Sequence, residues 1–287
     1  MTESKSRTWN KIACFYALTL VLTSIFQMLD RHAPGNITII TGVMWCPALS
    51  AFATKWIFGE SLRDLGWKWG TGRYELWAYV IPLLYTVPVY LLVWLTGLGG
   101  FYDVAFVEKV AKSYGLSALP LTVALMFYVL ITMTAGFVPK TARALGEEIG
   151  WRGFLVPELA KVTSFTGVGL ISGLMWAAWH YPAILFSNYN AGTPSWYALT
   201  CFTVMVVAQS YIFAWLRLRS QSLWPAALLH GSHNMFVQLI FTPLTTNTGP
   251  TPYIIDEFGA GLALASTVGA IIVWRKRGDV ARSAQPA

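Results

Sequence analysis

The stretch LPLTVALMFYVLITMTAGFVP, residues 119–139, holds no charged side chain over 21 positions. A helix needs about 20 predominantly apolar residues to cross the hydrocarbon core of a bilayer, so this segment reads as a membrane span. It is not alone. Apolar stretches of similar length lie near 11–29, 37–58, 77–98, 163–186, 196–216, 222–242 and 257–274. The whole chain has 287 residues, of which 55% are hydrophobic and only 11% charged, with a mean hydropathy of +0.53. That composition excludes an ordinary soluble globule. The expected fold class is therefore all-α: a polytopic membrane helix bundle of about eight transmembrane helices forming one transmembrane domain over residues 1–287. The tail at 278–287 is expected to be frayed.

The first apolar run follows a basic segment, as in a secretory signal. It is too long for a signal core and no A-x-A site follows it, so it is read as a first span. Lysine and arginine accumulate on the cytoplasmic side of membrane proteins. If the N-terminus is cytoplasmic, the eight expected spans put all 20 of these residues except Arg31, Lys109 and Lys112 on that side, counting Lys140, Arg143, Arg152 and Lys161 in one loop. Both termini are then cytoplasmic. The formal charge of +7 is explained by this asymmetry, with anionic lipid headgroups as counter-charge and no nucleic acid required. Cys14, Cys46 and Cys201 are odd in number, lie in expected spans and form no C-x-x-C pair, so they read as small buried hydrophobes. The segment GESLRDLGWKWGTGRYEL, residues 59–76, interleaves aromatic and charged residues and reads as an interfacial anchor. No internal repeat is visible.

Just beyond residues 119–139 comes ALGEEIGWRGFLVPEL, residues 144–159, with two adjacent glutamates in a chain that has only 13 acidic residues. At about 100° per helical residue, Glu148 and Arg152 share a face and pair, while Glu147 points elsewhere, toward Gly150, Trp151 and Phe154. Apolar neighbours, with room for water beside the glycine, make Glu147 the candidate general base. Pro157 is expected to kink or end the helix. His180 lies in an expected span one turn after Trp176, with Pro182 just beyond. His230 is followed at i+4 by Asn234 on the same face. His233 is read as a supporting or packing residue, Gln209 as an interhelical hydrogen-bond partner, and His32 as an unremarkable member of an exterior loop.

Ionisable groups inside a membrane domain mark function by default. Glu147 helped by His180 can deprotonate a water for attack on an amide carbonyl, and His230 with Asn234 can donate to the oxyanion. The same set can instead bind zinc through Glu147 or Glu148, His180 and His230, leaving a coordination position for water. No H-E-x-x-H is present. A serine mechanism lacks its elbow, since GLISG, residues 169–173, has Leu170 where a glycine is needed, and the aspartates lie near exterior boundaries or in loops. Two other classes use the same polar groups: a non-catalytic membrane protein that confers immunity by sequestering a peptide, and a transporter or proton relay.

With those residues in place, the chain resembles the CAAX prenyl protease and bacteriocin-processing family, the Abi-type intramembrane proteases related to the type II CAAX prenyl endopeptidases. Glu147, Glu148 and Arg152 meet its E-E-x-x-x-R motif, Trp176 and His180 its F-x-x-x-H motif with tryptophan for phenylalanine, and His230 and Asn234 its H-x-x-x-N motif. The core of the resemblance spans residues 140–242. It implies an eight-helix bundle in the membrane, a cavity open toward the cytoplasm, water activation by Glu147 and His180, and an oxyanion hole from His230 and Asn234. Zinc stays open, because the family has also been described as metalloproteases. The implied partner is a membrane-anchored, in some members lipidated, peptide or protein. Segments such as WRGFL and WHYPA suggest a bacterial cytoplasmic membrane.

Overall fold

The computed structural model describes residues 3–32, 35–187 and 189–283. The chain runs α1 (Glu3–His32), α2 (Ile37–Ile57), a 3-10 turn (Leu62–Leu65), α3 (Arg73–Thr96), α4 (Val104–Ser113), α5 (Leu121–Met133) and α6 (Phe137–Glu148). A π-helical segment (Ile149–Leu155) leads into α7 (Val156–Ala160), followed by α8 (Phe165–Phe186), α9 (Ser195–Ser220) and α10 (Trp224–Asn234). A second π segment (Met235–Phe241), α11 (Ala260–Arg275) and α12 (Gly278–Ser283) complete it. The only strands among the described residues are Gly100–Phe101 and Thr245–Thr246, which pair antiparallel. The protein is an all-α polytopic membrane bundle, and among the described residues six helical segments are long and apolar enough to cross a bilayer.

Leu84, Leu92, Leu95, Met126 and Leu264 are exposed on the outside of the bundle, as lipid-facing side chains should be. Lipid tails are as apolar as leucine, so association of the helices rests on close packing and internal hydrogen bonds. Glycines supply the close approaches. A Cβ on Gly169 would lie 2.6 Å from the Tyr211 ring, and one on Gly173 would lie 2.7 Å from the Val207 Cα. GLISG is therefore the small-x-x-x-small face on which α8 packs against α9. Gly146 and Gly150 do the same for α6 and its π segment against Trp45 and Pro47 of α2.

Three local expectations change. The span expected at 119–139 ends at Met133, and the chain turns into α6, a second helix inside the bundle. Lys140, Arg143 and Arg152 therefore lie on helical segments and not in a loop, and Arg152 is only 1% exposed. Pro157 does not end its helix at once, because the preceding π turn, with Val156 N–H donating to the Trp151 carbonyl, leads into α7, which then stops at Ala160. The 59–76 segment is also more than a headgroup anchor. Leu65 is buried, Leu223 N–H donates to the Gly66 carbonyl at 2.9 Å, and Trp224 Nε1 donates to the Trp67 carbonyl at 2.8 Å, so the segment docks on the start of α10. Residues Gly278–Ser283 of the tail are helical, whereas 284–287 lie outside the described residues. His32 ends α1. The cysteines are unpaired, with Cys46 and Cys201 buried and Cys14 half-buried.

Candidate active site

The glycines of α6 determine where the glutamates go. Gly146 and Gly150 are one turn apart and press on α2, so Glu147 and Glu148, at about 100° and 200° round the helix, turn toward the other side of the bundle. Gly231 meets Thr141 so closely that a Cβ there would be 2.3 Å from its hydroxyl, which draws α10 onto α6 and sets His230 beside Glu148. The two π segments begin directly after Glu148 and Asn234. Such widened turns re-aim the side chains around them and are common at functional sites.

Glu148 is 0% exposed. Its Oε1 accepts from Arg152 Nη1 at 2.9 Å, as the i,i+4 spacing predicts, and also faces His230 Nδ1 at 2.8 Å. The Arg152 guanidinium lies 4.0 Å from the ring centroids of both Trp176 and Phe213. This carboxylate therefore does two things: it neutralises a buried guanidinium and fixes the His230 ring so that Nε2 is left for the cavity. The second role was not evident from the sequence, since it depends on the α6–α10 contact.

Glu147 is also buried. Its Oε2 accepts from Trp176 Nε1 at 2.8 Å, and Oε1 has no partner among the described residues. The neighbours expected from a continuous α-helix are not its neighbours. Gly150 is filled by Pro47, Trp151 packs edge-on against Phe15 and Trp179, and Phe154 packs against Phe15. The π segment starts between Glu147 and these residues and rotates them away, and the indole that faces the carboxylate is that of Trp176. His180 Nδ1 is 2.9 Å from the Trp176 carbonyl, an acceptor, so Nδ1 carries the proton and Nε2 is the free nitrogen. Trp179 at 4.6 Å and Phe202 at 4.9 Å hold the ring in place. The Asn234 amide has no partner among the described residues.

These four groups line one cavity of about 560 Å³, within the range of ligand-binding pockets. Lys140, Arg143, Gln209, His233 and Glu257 line it as well. His233 has Tyr85 Oη at 2.7 Å from Nδ1 and Glu257 Oε1 at 3.2 Å from Nε2. Gln209 Nε2 lies 3.4 Å from Ser266 Oγ and 3.5 Å from His233, so it does bridge helices.

Glu257 is the cavity residue that sequence reasoning missed. It lies in the connection before α11 and accepts from Tyr189 Oη at 2.5 Å and Gln238 Nε2 at 2.9 Å. Burial works against its charge, and the His233, Tyr189 and Gln238 donors overcome that, holding the carboxyl at about 2. Burial and the Glu257 charge together push the neighbouring Asp256 up to about 7. The signal in the sequence was a second adjacent acid pair at the edge of an apolar segment, IIDEFGA, residues 254–260.

Among the described residues, no group of three or more His, Cys, Asp or Glu is placed to hold a metal ion. Of the zinc set considered from sequence, His230 directs Nδ1 at Glu148 and Glu147 has one oxygen taken by an indole N–H.

The family described as "Type II CAAX prenyl endopeptidase Rce1-like" matches residues 120–236, a segment that contains all seven motif residues from Glu147 to Asn234. Over that segment, less than half of the chain, the protein is similar to the Rce1-like family. CAAX prenyl protease 2 of Methanococcus maripaludis is 29% identical over 99 residues, 33% of this chain and 36% of that protein. The match thus covers about a third of the archaeal relative's length. The Rce1-like segment runs from the end of the α4–α5 connection to the second π segment and leaves α1 to α3, which contribute the α2 wall of the cavity, outside it.

Proposed function

We propose that this protein is an intramembrane endopeptidase that hydrolyses a peptide bond in a membrane-associated peptide or protein, with no metal in the reaction. The observation that carries this reading is that Glu147 Oε1, His180 Nε2, His230 Nε2 and the Asn234 amide, four groups from three helices, face one cavity without other partners among the described residues. In this reading, Glu147 takes a proton from a water that His180 Nε2 helps orient. The water oxygen bonds to the scissile carbonyl carbon, and the carbonyl becomes an oxyanion. His230 Nε2–H and the Asn234 amide donate to it. The C–N bond then breaks as Glu147 returns its proton to the leaving nitrogen. The donor role needs His230 as an imidazolium, with Glu148 as counter-ion. Glu148, Arg152 and His230 then carry one net positive charge, which suits an anionic intermediate.

The archaeal relative is named as a CAAX prenyl protease, and the Rce1-like match extends that substrate class here: a lipid-anchored or otherwise membrane-held polypeptide that enters from the bilayer. The test is turnover of a quenched peptide library, including a farnesylated CAAX peptide, by detergent-purified protein and its Glu147→Gln variant, with and without a strong chelator. Cleavage lost in the variant and unaffected by chelator is the expected result. Cleavage abolished by chelator and restored by zinc would overturn the metal-free mechanism, and equal inactivity of both proteins on every peptide would count against the protease reading.

A further inference from the structure

The helix ends sort into two faces of the bundle. On one face, Lys11 of α1 bonds Glu60 after α2 at 2.7 Å and Glu158 of α7 at 2.6 Å, Leu223 N–H donates to the Gly66 carbonyl, and Arg219 of α9 reaches the Asp279 carbonyl. The start of the described chain, the α2–α3 connection, the α7–α8 and α9–α10 turns and the end of α11 therefore lie together. On the other face, Gly100 and Phe101 pair with Thr246 and Thr245, Asp103 N–H donates to the Leu244 carbonyl, and Tyr197 Oη donates to the Tyr253 carbonyl. This gathers the α3–α4, α8–α9 and α10–α11 connections.

The cavity belongs to the second face. Gln27 and Gly35 at the α1–α2 end, Ile37 in the first turn of α2, Ser187 and Tyr189 after α8, and Glu257 before α11 all line it. No residue from the end connections of the first face does. The charges are distributed the opposite way. Of the 20 lysines and arginines, all but six lie on the first face: Arg31, Lys109 and Lys112 are on the second, Lys140 and Arg143 line the cavity, and Arg152 is buried beside Glu148. Reassigning those last three from a loop to the bundle leaves the asymmetry intact and separates it from the site. Since lysine and arginine near helix ends stay in the cytoplasm, the first face is cytoplasmic.

We infer that the catalytic cavity opens on the non-cytoplasmic side of the membrane, so that its substrate is an exported or membrane-anchored polypeptide whose cleaved segment lies outside the cytoplasm. This deepens the proposed protease function and reverses the cytoplasmic opening that the family resemblance implies. A cytosolic peptide would have to pass the packed end of the bundle, where the Lys11, Glu60 and Glu158 cluster and the docked 59–76 segment close the structure. An exported segment meets the cavity directly between the α1–α2 and α8–α9 ends.

The test uses the full chain in bacterial cells and a membrane-impermeant maleimide, with the parent protein and its three native cysteines as background. Ser187→Cys at the cavity is an exposed position of the second face, as is Ser117→Cys in the α4–α5 connection, whose neighbour Leu116 packs into the apolar cluster of Tyr102 and Leu244 on that face, and Thr71→Cys is an exposed position of the first. The expected result is labelling of Ser187→Cys and Ser117→Cys in intact cells, and of Thr71→Cys only after permeabilisation. The reverse pattern, or equal labelling of all three in intact cells, overturns the inference. A fusion of alkaline phosphatase or a green fluorescent protein to the C-terminus reads the same orientation without cysteine substitution, and an active phosphatase there also overturns it. Labelling does not depend on turnover. Ser187→Cys combined with Glu147→Gln should label identically, so a reversed pattern with intact cleavage rejects only the orientation, and the expected pattern without cleavage rejects only the protease reading.

Discussion

Replacing each of the adjacent glutamates by glutamine should give opposite phenotypes. Glu148 is fully buried and is the anionic partner of Arg152, itself 1% exposed, and of His230. Glu148→Gln keeps the shape but leaves the guanidinium without a counter-charge, a change that typically costs about 3–5 kcal/mol. At roughly 2–4 °C per kcal/mol for a chain of this size, the unfolding midpoint should fall by about 10 °C. Turnover should fall too, because His230 loses the acceptor that fixes its ring. Glu147 has a different environment: its hydrogen bond from Trp176 Nε1 can be accepted equally by a glutamine oxygen. Exchanging a charge-assisted bond for a neutral one is worth only about 1 kcal/mol, and the buried charge is removed at the same time. Glu147→Gln should therefore unfold close to the parent temperature while losing about 10²–10⁴ in kcat as a missing general base. A thiol-reactive dye that reports exposure of the buried Cys46 and Cys201 measures the midpoints in detergent, and the quenched peptide measures turnover. The reasoning is refuted if Glu148→Gln unfolds at the parent temperature, or if Glu147→Gln is destabilised as much as Glu148→Gln.

Asn234→Ala should lower kcat by about 10²–10³ with little change in KM, as loss of one oxyanion donor does, and a pure KM effect would place Asn234 in substrate binding instead. Trp176→Phe removes the N–H that holds Glu147 Oε2 while leaving an aromatic face for Arg152, so kcat should drop by about tenfold, corresponding to ~1.4 kcal/mol; an unchanged kcat would show that the indole only fills space. Asp256 is pushed up to about 7 from an ordinary 3.8, so the folded protein binds an extra proton between those values and its stability declines as pH rises from about 4 to 7. Glu257, held at about 2, adds stability that is already complete above its ordinary value of 4.5 and does not alter that slope. Asp256→Asn should flatten the midpoint between pH 5 and 7, and an unchanged slope in the thermal melts would assign it to another group.

The polar residues of a membrane helix are easy to read because each one stands against a background where it is costly. Glu147, Glu148, His180, His230 and Asn234 stand out for that reason, and the structure brings all five to one place. The i,i+4 pairing of Glu148 with Arg152 was legible because it lies within one helical turn. The surroundings of Glu147 were not, because π-helical turns are rare and extrapolation at 100° per residue fails across one. Glu257 was missed because it stands at the first residue of the stretch read as a span at 257–274, whereas α11 begins only at Ala260, although the Asp256–Glu257 pair is as unusual in this chain as the pair in α6.

Sequence alone determined the helical membrane class, the apolar segments, the charge asymmetry between loops and the identity of the motif residues. These are local properties, set by hydropathy against a bilayer and by side-chain chemistry one residue or one turn at a time. Only the tertiary structure decided that GLISG is a helix-packing face, that Glu148 holds His230, that Trp176 holds Glu147, and that the cavity opens away from the lysine- and arginine-rich face. Each of these depends on contacts between helices far apart in the chain, where glycines fix the distance of approach and thereby determine which polar groups meet.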